Sequence, residues 1–462
     1  MGTVGISFGS PTSGQGFDVA TTVSQITTNM QAVETPWKNQ LTLLQSEDTA
    51  YTTLGTDLSN LSTSLSALTN VGGILNSMDG SSSNTNVVQL LSAGTTAIAG
   101  SHTIVVNSLA QTASYYSEDF ANSSDLINGS LTLTVNGGTA QTINTDSGGD
   151  TLAQFAADIN DADTGVTANV ITDAGGQRLS LTSNTSGAVG NFTISSTLAD
   201  ATNPSNTIGF TQPQTGTDAS FTVDGISETS SSNTVTNAIP GVSFQLLSAA
   251  PTSPVQVEIT NDNSDIETAV NTFVTDYNQA VTDMNAQEGN DSSGSAEPLY
   301  GSPTLALLQE QLASAASFVQ SSGSGSVTSL TQLGISLNDD GTMTLDTSAL
   351  DSTLNSNFQD VVNFFQPSAT TPSFGDNFTT AVNNLGNSAP DGAVYLALQA
   401  DSSTESTLNT NITNENTYIT QQTATLTTEL NQANYTLTEI PSQIDEINEL
   451  YSAVTGYNAN EQ

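Results

Sequence analysis

The apolar residues of this chain change period twice along its length, and that change limits what the chain can fold into. Near the N-terminus they recur at Val19, Val23, Ile26, Met30, Val33, Trp37, Leu41 and Leu44, then at Tyr51, Leu58, Leu61, Leu65 and Leu68 after passing through polar Asp48. Steps of three and four place such residues on one side of a helix. Asp18 suits an N-cap, Gly72-Gly73 a stop, and Pro36 a bend or interruption. Unbroken, that helix would be about 80 Å long. The C-terminal end carries a matching stripe: Ile412, Ile419, Leu426, Leu430, Leu437, Ile440, Ile444, Ile447, Tyr451 and Val454. Ser402 to Glu405 reads as the capping box that opens it, and Pro441 as a kink. Each stripe needs cover. The two can cover each other in an intramolecular hairpin, or meet copies in neighbouring subunits.

Between roughly residues 100 and 260 the period becomes two. Ile104/Val106, Leu131/Leu133/Val135, Val166/Ala168/Val170, Leu179/Leu181, Val242/Phe244/Leu246 and Val255/Val257/Ile259 each place apolar groups on one face of a strand. Turn signals separate them at Asn136-Gly137-Gly138, 173–176 and Asp224-Gly225. A short helix over Thr151 to Asn160 turns Leu152, Phe155, Ala156 and Ile159 inward. Helices return with a capping box at Ser264 to Glu267 and a second start at Ser302-Pro303, lined by Leu305, Leu308 and Leu312. A small hairpin turns at 338–341, and a helix carrying Leu350, Leu354, Phe358, Val361 and Phe365 follows. The first ~16 residues, rich in Gly, Ser and Thr, read as mobile when unpartnered.

Composition removes most chemistries. Two basic residues against 45 acidic ones give a net charge of -43. Such a surface repels phosphate and excludes nucleic acid and anionic membrane as partners. With no cysteine and one histidine, His102, neither disulfides nor a transition-metal centre are expected. No nucleophile elbow or phosphate-binding loop accompanies His102 or Lys38. Acidic loops at 158–163, 261–263 and 338–341 lack the spacing of a calcium loop and read as turns and caps. The reading is therefore of a non-enzyme without cofactors. No stretch approaches ~20 apolar residues, so no membrane insertion is expected. The opening segment lacks the basic and apolar regions of a cleaved leader, and the near absence of Lys and Arg leans towards extracellular life.

Several segments, taken in order, resemble the flagellar hook-associated protein 2 family, the bacterial filament cap proteins. They are GFDVATTVSQITTNM (16–30), VNSLAQTASYYSEDF (106–120), the 165–195 block, ASFTVDGISETSSSNTVTNAIPGVSFQLLSA (219–249), TAVNTFVTDYNQAVTDMNAQ (268–287), PLYGSPTLALLQEQL (298–312) and LGISLNDDGTMTLDTSALDSTL (333–354). The resemblance implies an α+β multidomain fold with long coiled-coil-like terminal helices, a helical domain and two inserted β-rich head domains. The terminal region would hold 1–40 and 402–462, the helical core 41–95 and 263–401, the inner head 96–118 and 216–262, and the outer head 119–215. It implies a homo-oligomeric ring at the flagellum tip, outside the cell, exported through the flagellar type III channel. The ring would retain flagellin and promote its folding and polymerisation. Implied partners are flagellin, hook-associated junction proteins and an export chaperone. Val23, Ile26, Met30, Val33, Trp37, Leu426, Leu430 and Leu437 are the expected oligomer or filament interface. The alternatives are another axial protein, such as a flagellin or a hook–filament junction protein, and a surface adhesin using the β head.

Overall fold

The computed structural model describes residues 14–320, 325–366, 372–386 and 390–456. The expectation for the opening segment falls, up to residue 13, outside the described residues. Eight α-helices lie among the described residues: α1 (Val19–Gln31), α2 (Thr35–Thr69), α3 (Leu152–Asp161), α4 (Asn263–Ala286), α5 (Pro303–Ala316), α6 (Thr347–Phe365), α7 (Phe374–Leu385) and α8 (Ala393–Thr455). The chain divides into a helical unit, built from the residues up to Thr69 and from Ala269 onward, and a β-rich unit, Asn70–Thr268.

In the helical unit the N-terminal stripe breaks where proline suggested. Helix α1 ends at Gln31, a single 3-10 turn covers Ala32–Glu34, and α2 begins at Thr35. Pro36 falls in the first turn of α2, where its missing N–H costs no helix bond. Asp18 caps α1 by accepting the Thr21 amide at 3.0 Å. Along α2, Leu54, Leu58, Leu61, Leu65 and Leu68 are buried, each at about 1.5–3 kcal/mol relative to exposure. An aromatic cluster forms the core from Phe273 and Tyr277 on α4, Phe364 and Phe365 on α6, and Phe374 and Phe378 on α7, all fully buried. Phe364 stacks on Phe374 at 5.0 Å between centroids. Phe273 meets Phe378 edge-on at 5.4 Å, the other arrangement that aromatic quadrupoles favour. Leu305, Leu308 and Leu312 of α5 are buried too, behind a cap from Ser302. The small hairpin pairs Ile335–Leu337 with Met343–Leu345.

Two expected helix starts move. Helix α8 begins at Ala393 rather than Ser402, because Val394 is fully buried and ties down the additional turns; the Ser402–Glu405 pattern lies inside the helix. At the start of α4 the cap is Asp262, which accepts the Asp265 amide at 3.0 Å, rather than Ser264. Pro441 stands inside α8, which continues past it to Thr455. Outward faces of α8 carry threonine where soluble helices usually carry Lys and Glu. Thr404, Thr407, Thr410, Thr413, Thr417 and Thr420 each donate to the carbonyl four residues back. Their hydroxyls are therefore satisfied without a charged partner.

The β unit holds two apolar cores. One lies against an eight-stranded antiparallel sheet whose neighbours run Ile226–Ser230, Ala219–Val223, Gly100–Ser108, Val255–Asn261, Met78–Ser82, Val88–Ala93, Val242–Leu246 and Thr234–Ile239. Its inward residues include Ile104, Val106, Phe221, Phe244, Val255, Val257 and Ile259, with Phe221 and Phe244 edge-to-face at 6.0 Å. Two of these strands, Met78–Ser82 and Val88–Ala93, lie in a stretch that the sequence reading assigns to the helical core over 41–95. The segment MDGSS has almost no apolar alternation to betray it. The other core gathers Leu131, Leu133, Ala168, Leu179 and Leu181 around α3, which buries Leu152, Phe155, Ala156 and Ile159 as its pattern required. Thr151 and Gln154 cap α3 reciprocally. The hairpin signals hold: Asp224 and Gly225, at φ 51° and 83°, link Val223 to Ile226.

Candidate assembly interface

The two ends of the chain meet in an antiparallel seam. Thr27 of α1 and Thr423 of α8 share a hydroxyl–hydroxyl hydrogen bond at 3.0 Å. Further out, the Phe17 amide donates to Asn434 Oδ1 at 2.8 Å. Gly14 and Gly16, at φ 68° and 59°, lie against Pro441 and Asn434. A Cβ at Gly16 would collide with the Asn434 side chain, and the positive φ itself favours glycine there. Residue numbers fall on α8 as they rise on α1, so the register is fixed by these contacts rather than by apolar spacing alone.

This seam takes up part of the residues expected at an oligomer interface. Val23 is buried within it. Ile26, Met30 and Trp37, and Leu426, Leu430 and Leu437 on α8, are half-buried. Val33, in the middle of the 3-10 turn, is 53% exposed. The described structure therefore leaves other apolar groups more available than the expected set. Ile447 is 65% exposed, Leu450 69%, Tyr451 54% and Val454 80%, all on the last turns of α8. Ile447, Tyr451 and Val454 stood in the sequence stripe. Leu450 did not, although it stands three residues after Ile447 and four before Val454 and so fits the same spacing.

The electrostatics of each unit are one-sided. Lys38 lies 2.6 Å from Glu34, a carboxylate at 1% exposure in the break between α1 and α2. Arg178, in the β unit, bridges Asp119 at 2.6 Å and Asp173 at 2.8 Å. Its guanidinium also covers the Tyr116 ring at 5.3 Å, a cation over the negative face of an aromatic. Hydrogen bonds from the Gly175 amide and then from Arg178 hold the Asp173 carboxyl below its ordinary range. His102 Nδ1 lies 2.8 Å from Asp224 Oδ2, and Asp224 Oδ1 accepts the Thr103 amide at 2.8 Å. Those contacts, the amide first, lower the Asp224 pKa and tie a hairpin turn to the neighbouring strand. Among the described residues no group of three or more His, Cys, Asp or Glu could hold a metal ion. No described helix is long and apolar enough to cross a membrane.

A family model described as the C-terminus of flagellar hook-associated protein 2 matches residues 216–455, more than half of the chain. The chain belongs to the flagellar hook-associated protein 2 family. The family's N-terminal model matches residues 15–113, and a flagellin hook IN motif matches 130–185 within the second β core. The B-type flagellar hook-associated protein 2 of Pseudomonas aeruginosa PAO1 is 30% identical over 356 residues, covering 71% of this chain and 74% of that protein. The flagellar hook-associated protein 2 of Helicobacter pylori 26695 is 30% identical over 154 residues, 33% of this chain and 22% of that one. Among solved structures, the D1-D2-D3 domains of the flagellar cap protein FliD from Escherichia coli superpose with a TM-score of 0.57 at 26% identity, covering 76% of this chain and 99% of that one. The hook-associated protein 2 fold thus comprises both units: the long terminal helices, the helical region and the β-rich inserts.

Proposed function

We propose that this chain caps the growing flagellar filament. Copies associate through their terminal helices into a ring at the tip, outside the cell, where the ring retains exported flagellin and promotes its folding into the filament. The observation that carries this reading is the family match at both ends of the chain, together with the fold shared with the Escherichia coli cap domains. The exposed apolar turns at the end of α8 support the association step, since a face of that kind costs solubility unless a neighbour covers it. The role is structural, not enzymatic, with flagellin, the hook-associated junction proteins and an export chaperone as partners. A deletion strain tests it. The expected outcome is unpolymerised flagellin in the medium and few or no filaments, restored by the intact gene. Filaments of normal length and number in the deletion strain would overturn the reading.

A further inference from the structure

Both basic side chains of this protein are committed to carboxylates, Lys38 to Glu34 and Arg178 to Asp119 and Asp173. Any other carboxylate buried between helices must find something else to offset its charge. Helix α2 carries two of them. Asp57 is 7% exposed, and its Oδ2 is buried without a hydrogen-bond donor. Asp48 Oδ1 is likewise buried without a donor, as are Asp401 Oδ2 and Glu405 Oε1 of α8. Nine residues separate Asp48 from Asp57, which at about 100° per residue puts them on opposite sides of α2. Asp57 pairs with Asp283 of α4, and Asp48 with Asp401 of α8. Two carboxylates facing each other are acceptors only, so a hydrogen bond between them requires a shared proton.

We propose that α2 is clamped on its two sides by protons shared within these pairs, Asp57–Asp283 and Asp48–Asp401, so that the helical unit is held tight in mildly acidic medium and loosens as pH rises towards neutral. The charged groups around each pair are of one sign: Asp276 of α4 beside the first, Glu47 of α2 and Glu405 of α8 beside the second. Nothing there supports ionisation. Burial first, then the hydrogen bond to Asp283 and the charges of Asp283 and Asp276, push the Asp57 carboxyl up to about 6. Burial, then the charge of Asp48 and the hydrogen bond to it, raise that of Asp401. A raised carboxyl binds its proton more tightly in the folded than in the unfolded chain. Its stabilisation is therefore present in full below the unfolded value and is lost as pH climbs through about 6. A bound cation is the competing way to join such oxygens, but no described group of acidic side chains gathers enough ligands to hold one.

The test uses the full-length protein and its helix melting, followed by far-ultraviolet ellipticity at about pH 5 and about pH 8. Wild type should melt several degrees lower at the higher pH, and high salt should leave most of that gap in place. Asp57→Asn and Asp401→Asn each supply a permanent N–H donor. Both should raise the alkaline midpoint towards the acidic one while leaving the acidic midpoint unchanged. Asp445→Asn on the exposed side of α8 removes the same charge and should leave the gap intact. The proposal is overturned if wild type melts alike at both values. It is equally overturned if the asparagine variants lower both midpoints together, or if Asp445→Asn closes the gap as well as they do.

Discussion

Glu34 owes its tolerated burial to one neighbour. Its carboxylate sits at 1% exposure where the chain turns from α1 into α2, and its oxygens have no hydrogen-bond donor apart from the Lys38 ammonium at 2.6 Å. Lys38 remains 55% exposed, so water and salt weaken the pair from that side. Removing one partner of a buried pair still leaves the other charge stranded. Lys38→Met should therefore destabilise the helical unit by about 1–2 kcal/mol, below the full cost of breaking a wholly buried pair. Lys38→Arg, which keeps the charge, should cost less. Urea unfolding monitored at the single tryptophan, Trp37, reads both variants; a neutral Lys38→Met would mean that Glu34 finds another way to shed its charge.

Helices and strands with strong internal periodicity were legible: the stripe of α2, the inward face of α3, and the alternating strands from Ile104 to Ile259 all lie where their spacing required. Caps were legible only when nothing else competed. Asp18 and Ser302 cap as expected and Thr151, read as the first residue of its helix, caps it instead, whereas the Ser402 pattern is overridden by burial of Val394 upstream. That burial is a tertiary anchor, which local sequence cannot display. The strand Met78–Ser82 was illegible for a related reason: it pairs with Val257–Asn261, far along the chain, and takes its conformation from that partner. Of the residues expected at an oligomer interface, Val23, Ile26, Met30, Trp37, Leu426, Leu430 and Leu437 lie buried or half-buried within one chain, whereas Ile447, Tyr451 and Val454, exposed at the end of α8, stood in the stripe without being expected there. The distinction has a consequence at the scale of α8. Ile26 and Leu430 lie on the helices that meet within one chain, so Ile26→Asp with Leu430→Asp should open the seam and lower the helix melting midpoint of the single molecule. Ile447→Asp with Leu450→Asp should leave that midpoint unchanged and instead shift the sedimentation distribution from ring to monomer. The opposite assignment of effects would show that the end of α8 faces no partner.

For the proposed ring, a charge of -43 on each molecule means repulsion from every like copy. Residue by residue, little is available to counter it. Both basic side chains are already engaged within the chain, so contacts between subunits have to come from apolar burial and neutral hydrogen bonds, such as those the threonine-covered face of α8 could offer. Repulsion of this kind acts through solvent and is screened over about 8–10 Å near physiological ionic strength. Apolar burial is not screened and is strengthened by salts that are excluded from protein surface. Both effects have the same sign. Added sodium chloride should drive assembly, shifting the sedimentation distribution from monomer to ring as concentration rises, with potassium chloride giving the same curve at equal ionic strength. Assembly held by interchain ion pairs predicts the reverse, because salt weakens attraction between opposite charges as surely as it weakens repulsion between like ones. A ring that comes apart as sodium chloride is added would therefore place ionic contacts at the interface and remove the apolar end of α8 from its centre.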